Sequence, residues 1–134
     1  MIFLDTSIIV SYMVEKDSNH ERAVPLMNDI VSGMYGTAVT SDYVFDETVT
    51  VILVRSKSLE TAITAGKVIK ESITILYVSE KLFEYSWEKF RNQVGTKFSF
   101  TDCSIIALLE NNHINKLATF DKEFISTKLY DVVR

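Results

Sequence analysis

Short apolar runs alternate along the chain with longer stretches in which apolar residues return every three or four positions. The short runs predict strands at about 2–5, 37–40, 73–78, 116–120 and 129–133. The longer periods predict helices near 7–14, 19–32, 42–55, 59–71, 80–92 and 102–111. Strands separated by helices pair in parallel through right-handed crossovers, so the pattern implies a layered α/β fold. Ser18 and Glu21 have capping-box spacing, and Ser79 stands where a helix containing Trp87 and Phe90 begins. Pro25 predicts a kink or a later start in the second helix, because its ring blocks the bond back to Glu21. With 4 glycines, 1 proline and no repeat or linker, residues 1–134 read as one domain.

Four acidic residues break this pattern. Asp5 ends the apolar run Met1-Ile2-Phe3-Leu4, and Asp121 ends Leu117-Ala118-Thr119-Phe120. In parallel α/β sheets ligands bind beyond the carboxyl ends of strands, which puts both aspartates at the functional rim. Each residue has an ordinary alternative, a helix cap for Asp5 and a turn for Asp121. Glu47 falls in a helical period whose main core face is Phe45, Val49, Ile52 and Leu53. It lies within a second apolar arc made by Val44, Val51 and Val54, where a carboxylate needs a partner or a shifted pKa. Asp102 shares the inward face of Ile105, Ile106 and Leu109. Thr101 is the predicted cap there, leaving Asp102 in the first turn, where the helix dipole favours its charge; a plain capping aspartate is its ordinary alternative, and a surface glutamate beside incidental valines is that of Glu47. Four inward carboxylates repel one another unless a positive charge sits among them. A magnesium or manganese ion fits, since hard cations take oxygen ligands, and the pattern points to metal-assisted hydrolysis of a phosphate ester.

Composition narrows the field. An apolar share of 47% and a charged share of 24% suit a folded globular domain. No apolar stretch is long enough for a membrane span, and no signal-peptide pattern opens the chain. The single cysteine, Cys103, forms no internal disulfide, which makes a reducing cytoplasm the expected compartment. A net charge of −4 gives no general grip on nucleic acid, so any RNA contact depends on local patches. Lys81, Lys89, Arg91 and Lys97 form one such cluster, and Arg55 and Lys57 follow the Glu47 helix.

The blocks Phe3-Leu4-Asp5-Thr6-Ser7, Asp46-Glu47, Phe98-Ser99-Phe100-Thr101-Asp102-Cys103 and Ala118-Thr119-Phe120-Asp121-Lys122-Glu123-Phe124 stand in one order across the chain. Together they resemble the PIN-domain family, most closely its VapC-type ribonuclease toxins. The resemblance implies a single-domain three-layer α/β/α fold with a five-stranded parallel sheet in the order 3-2-1-4-5. It implies a Mg2+- or Mn2+-dependent endoribonuclease whose acidic quartet is Asp5, Glu47, Asp102 and Asp121. Asp5, Asp102 and Asp121 would hold the metal, Glu47 would complete the ligand set or orient a water, and Thr6 and Ser7 would be substrate-positioning. The implied partners are an RNA substrate, a cognate antitoxin and a second copy of the chain. A catalytically weak or inactive PIN-like module that binds RNA or protein is the alternative.

Other chemistry has little support. His20 and His113 lack partners at zinc spacing, and there is no glycine-rich phosphate loop. Cys103 reads as a small buried residue, and Phe83, Tyr85, Trp87 and Phe90 read as core or interface. A phospho-acceptor receiver domain would need an acidic pair beside Asp5, and a phosphatase with a nucleophilic aspartate would need a second one where Ser7 stands.

Overall fold

A computed structural model describes residues 1–134. The chain runs through β1 (Ile2–Leu4), α1 (Thr6–Met13), α2 (His20–Val31), β2 (Ala38–Ser41), α3 (Asp42–Ser56) and α4 (Leu59–Ser72). It continues through β3 (Thr74–Leu76), α5 (Glu80–Asn92), α6 (Phe100–Asn111), β4 (Lys116–Ala118), α7 (Lys122–Thr127) and β5 (Asp131–Val133). The five strands form one sheet in the order β3-β2-β1-β4-β5, and every neighbouring pair is parallel. Successive strand residues point to opposite faces, yet Ile2, Phe3 and Leu4 are all fully buried. Both faces of the sheet are therefore covered, which is the three-layer arrangement. No helix is long and apolar enough to cross a membrane.

The strand order fixes where a site can form. From β1 the chain moves outward through β2 and β3, then returns to place β4 on the other side of β1. The order reverses between β1 and β4, in register from Ile2 opposite Lys116 to Leu4 opposite Ala118. Crossovers leave in opposite directions at such a point and open a crevice beyond the strand ends.

Every predicted element is present, and four local readings change. The segment after Asp121 is a short helix, α7, rather than a turn. Helix α2 starts at His20 and runs unbroken through Pro25; the Ser18–Glu21 box does not form, and the Asp17 carboxylate takes the Asn19 N–H instead. Helix α6 starts two residues earlier than expected, capped by Ser99 rather than Thr101. The buried face of α3 is Val44, Thr48 and Ile52, while Phe45 and Val49 are half-buried and Leu53 is exposed. Phe45 and Val49 face α4, where Gly66 permits a close approach: a Cβ there would stand 3.3 Å from Val49 Cγ1.

The aromatics of α5 are not core. Phe83, Tyr85, Trp87 and Phe90 are all exposed, while Ser86 is the one buried residue of that helix. Cys103 is buried as expected, and burial pushes its thiol above the ordinary value. Thr48 Oγ1 is buried with no hydrogen-bond partner. Thr48→Val removes that orphaned hydroxyl, so stability to urea is expected to rise by about 1 kcal/mol. An unchanged or lower midpoint would mean the hydroxyl is satisfied in solution.

Candidate active site

Asp5 follows the central strand and caps α1, so its carboxylate lies beyond the sheet at the switch point. Its Oδ1 accepts the Thr6 N–H at 2.7 Å. Its Oδ2 accepts the Ser7 hydroxyl at 2.8 Å and the Thr119 hydroxyl at 2.6 Å. Both hydroxyls in turn accept backbone N–H groups from the β4–α7 loop, Phe120 to Ser7 and Asp121 to Thr119, each at 2.9 Å. Two hydroxyls thus tie the end of β1 to the end of β4 through one carboxylate. Asp5 is only 4% exposed. Burial pushes its carboxyl above the ordinary value, outweighing the hydrogen bonds, and the charge of Asp121 adds to the effect.

Asp121 caps α7, its Oδ1 accepting the Glu123 N–H at 2.7 Å. Asp102 sits in the first turn of α6 and closes a reciprocal box with Ser99. Its Oδ2 accepts the Ser99 N–H at 2.7 Å, and the Ser99 hydroxyl accepts the Asp102 N–H at 3.1 Å. Burial, reinforced by the charges of Asp5 and Asp121, pushes the Asp102 carboxyl up to about 6 against the hydrogen bonds from Ser99. Glu47 is half-buried on α3, and its Oε2 accepts the Thr6 hydroxyl at 2.5 Å.

These four carboxylates, with Thr6 and Ser7, line one pocket of about 570 Å³. They come from residues up to 116 positions apart, and mutual repulsion is already visible at Asp5 and Asp102. Thr6 and Ser7 divide their work: Ser7 fixes Asp5, while the Thr6 hydroxyl fixes Glu47. Sequence reasoning missed Thr119, which is fully buried and holds Asp5 from β4. Its signal was a threonine two positions before a strand-end aspartate. It also missed Ser99 as the residue that orients Asp102.

The donor set suits a hard divalent cation, because every candidate ligand is a carboxylate oxygen. Asp102 Oδ1, Asp121 Oδ2 and Glu47 Oε1 make no hydrogen bond within the chain, while each partner oxygen is anchored. No three acidic, histidine or cysteine side chains are gathered closely enough to enclose an ion as they stand. Loading a cation therefore requires the free carboxylate arms to draw in.

An open parallel sheet with four carboxylates at its switch point defines an α/β protein with an all-oxygen acidic centre. The chain belongs to the PIN domain family, whose model matches residues 2–129. No curated relative matches it. Among solved structures, it is similar to the Mycobacterium tuberculosis toxin VapC20, described as cleaving the sarcin-ricin loop, with a TM-score of 0.84 and 24% identity over 98% of each chain. It is similar to VapBC2 from Rickettsia felis, bound to a DNA fragment from its promoter, with a TM-score of 0.68 and 17% identity over 99% of this chain and 98% of that one. FitAcB from Neisseria gonorrhoeae gives a TM-score of 0.67 and 18% identity over 100% of this chain and 97% of that one. At these identities the likeness establishes the fold.

Proposed function

We propose that this protein is a Mg2+- or Mn2+-dependent endoribonuclease and the toxin of a toxin–antitoxin pair. The observation that carries the reading is the convergence of Asp5, Glu47, Asp102 and Asp121 on one pocket at the switch point. Asp5, Asp102 and Asp121 would hold the cation. When bound, it offsets the charge that builds on the scissile phosphate and activates the attacking water. Glu47, steadied by Thr6, keeps Oε1 free to orient that water and accept its proton. Ser7 and Thr119 keep Asp5 in place against its tendency to protonate. Because the nucleophile is water rather than a ribose 2′-OH, the products carry a 5′-phosphate and a 3′-hydroxyl.

RNA is the substrate class that VapC20, described as cleaving the sarcin-ricin loop, suggests. VapBC2 and FitAcB among the similar structures support a protein antitoxin as partner. The exposed Phe83, Trp87 and Phe90 of α5 offer a surface for a homodimer. A second reading, a PIN-like module that binds RNA or protein without cutting, is favoured by the open spacing of the carboxylates.

One assay separates the two. Purified protein is incubated with total RNA across a Mg2+ titration, with a chelator control, and the new ends are mapped. The nuclease reading expects cation-dependent cuts with 5′-phosphate ends; intact RNA at every concentration supports the binding module. Thr119 gives a subtler check. Thr119→Val removes one hydrogen bond to Asp5 and orphans the Asp121 N–H. Groups that orient ligands in this way are worth roughly 10–100-fold in metal affinity. The midpoint of a Mn2+ titration followed by thermal melting is expected to rise accordingly. An unshifted midpoint would show that Thr119 has no part in orienting Asp5.

A further inference from the structure

Only two basic side chains line the acidic pocket, Arg55 and Lys97, and both are attached to parts of the fold that hold them in place. Arg55 lies at the end of α3, two turns beyond Glu47. Its Nη1 donates to Asp17 Oδ2 at 2.6 Å, which ties α3 to the loop between α1 and α2. Asp17 is itself well anchored: its side chain is 10% exposed, and Oδ1 accepts the buried Ser11 hydroxyl at 2.8 Å and the Asn19 N–H at 2.9 Å. Although burial opposes ionisation, these bonds and Arg55 hold the Asp17 carboxyl below its ordinary value, so it stays charged. Asp17 occupies one guanidinium nitrogen and fixes the group's direction. The remaining Arg55 N–H donors make no bond within the chain, and the side chain is half exposed at the pocket.

Lys97 comes from the loop before α6, on a different wall. The Gln93 side chain organises that loop, accepting the Phe98 N–H at 2.8 Å and the Thr96 hydroxyl at 3.1 Å. It also donates to the carbonyls of Phe90 and Phe98. The Lys97 N–H then donates to Glu123 Oε1 on α7 at 2.8 Å, which pins the loop beside Asp121. The Lys97 ammonium has no acidic partner within salt-bridge distance.

A pocket rich in carboxylates repels the phosphodiester it must admit. Cations on two walls, one beyond Glu47 and one beside Asp102 and Asp121, resolve that conflict. We propose that Arg55 and Lys97 form a two-point clamp for the RNA backbone phosphates on either side of the scissile one, with Asp17 as the residue that positions Arg55. The inference rests on the nuclease reading for its substrate class. It also explains how a protein of net charge −4 meets RNA: the positive charge is local, at two points on the rim of the pocket.

The clamp is tested by RNA binding, separately from cleavage. In an Asp121→Asn background, binding of a short fluorescein-labelled single-stranded RNA of mixed sequence is followed by anisotropy across a salt series. Each phosphate contact to single-stranded RNA contributes about 0.7 to the slope of log affinity against log salt. Arg55→Gln and Lys97→Gln are each expected to flatten the slope by about that amount, and the double variant by about twice as much. Arg55→Lys, which keeps the charge, should keep the slope. In the Asp121-intact protein, Arg55→Gln should raise KM about tenfold, as loss of a hydrogen bond between charged groups does, with kcat much less affected. Asp17→Asn should raise KM while leaving the slope in place, because Arg55 keeps its charge and loses its direction. The Arg55–Asp17 pair is partly exposed, so these variants are expected to fold, and melting curves confirm it. Slopes and KM that stay at the parent values in Arg55→Gln and Lys97→Gln overturn the clamp while leaving metal-dependent cleavage standing. Flattened slopes in a protein that cuts no RNA support the clamp and overturn the hydrolytic reading alone.

Discussion

Asp5→Asn is expected to abolish Mg2+-dependent RNA cleavage while leaving the fold intact. Asparagine keeps the shape: its carbonyl can accept the Thr6 N–H, and its amide nitrogen then faces the Ser7 and Thr119 hydroxyls, which can turn to accept from it, so the junction of β1 and β4 survives. What disappears is the negative charge at the point where the three strand-end and helix-start aspartates meet. Residues that merely orient a metal ligand are worth roughly 10–100-fold, so losing the central ligand should exceed about a hundredfold in kcat/KM. Removal of a buried charge that desolvation already disfavours should not destabilise the metal-free protein. A variant that cuts at the parent rate would remove Asp5 from the reaction. One that melts much earlier than the parent would give it a structural role.

The second large effect concerns stability against pH in the absence of metal. The Asp102 carboxyl is raised from 3.8 to about 6 in the folded chain, chiefly by burial and further by Asp5 and Asp121. For an acid raised on folding, the stabilising contribution is complete below the unfolded value and is lost as pH climbs through the folded one. The metal-free protein should therefore lose stability from Asp102 between about pH 4 and pH 6, with Asp5 acting in the same direction. Asp102→Asn keeps the acceptor for Ser99 and removes the charge. It should match the parent near pH 4 and exceed it at pH 7.5 by on the order of 1 kcal/mol, after discounting for solvent screening. Adding Mn2+ at pH 7.5 should stabilise the parent and have little effect on the variant. Denaturant titrations at the two pH values check this, and a parent–variant difference that stays flat with pH would remove the burial argument.

Much of this fold was legible because its signals are local. Strands flanked by helical periods announced a parallel sheet, and Ser79 capped α5 as its position suggested. The strand order came from the resemblance, since spacing alone does not distinguish one parallel arrangement from another. Helix faces were harder to read. In α3, apolar residues surround the helix, and periodicity chose Phe45, Val49, Ile52 and Leu53; packing kept Ile52 and took Val44 and Thr48 in place of the others. In α5 an apolar stripe read as core or interface, and the exposure of Phe83, Trp87 and Phe90 removes only the first of the two.

The carboxylates show a different limit. For Asp5 and Asp102, a capping role and a site role stood as alternatives in the sequence. In the structure each residue does both: Asp5 Oδ1 and Asp102 Oδ2 hold helix starts, while both side chains line the pocket. A helix start at the carboxyl end of a strand is where backbone N–H groups and an acidic centre coincide. The Asp17–Arg55 link was invisible because it joins segments far apart in sequence, and Thr119 showed only its local spacing from Asp121, not its distant bond to Asp5.

The most direct test is a crystal structure of the protein soaked in Mn2+, with anomalous differences collected at the manganese edge. A peak is expected in the pocket at coordination distance from oxygens of Asp5, Asp102 and Asp121, with those side chains drawn inward from their present spacing. Saturating Mn2+ that leaves the pocket without a peak, or binds only elsewhere on the surface, would contradict that expectation.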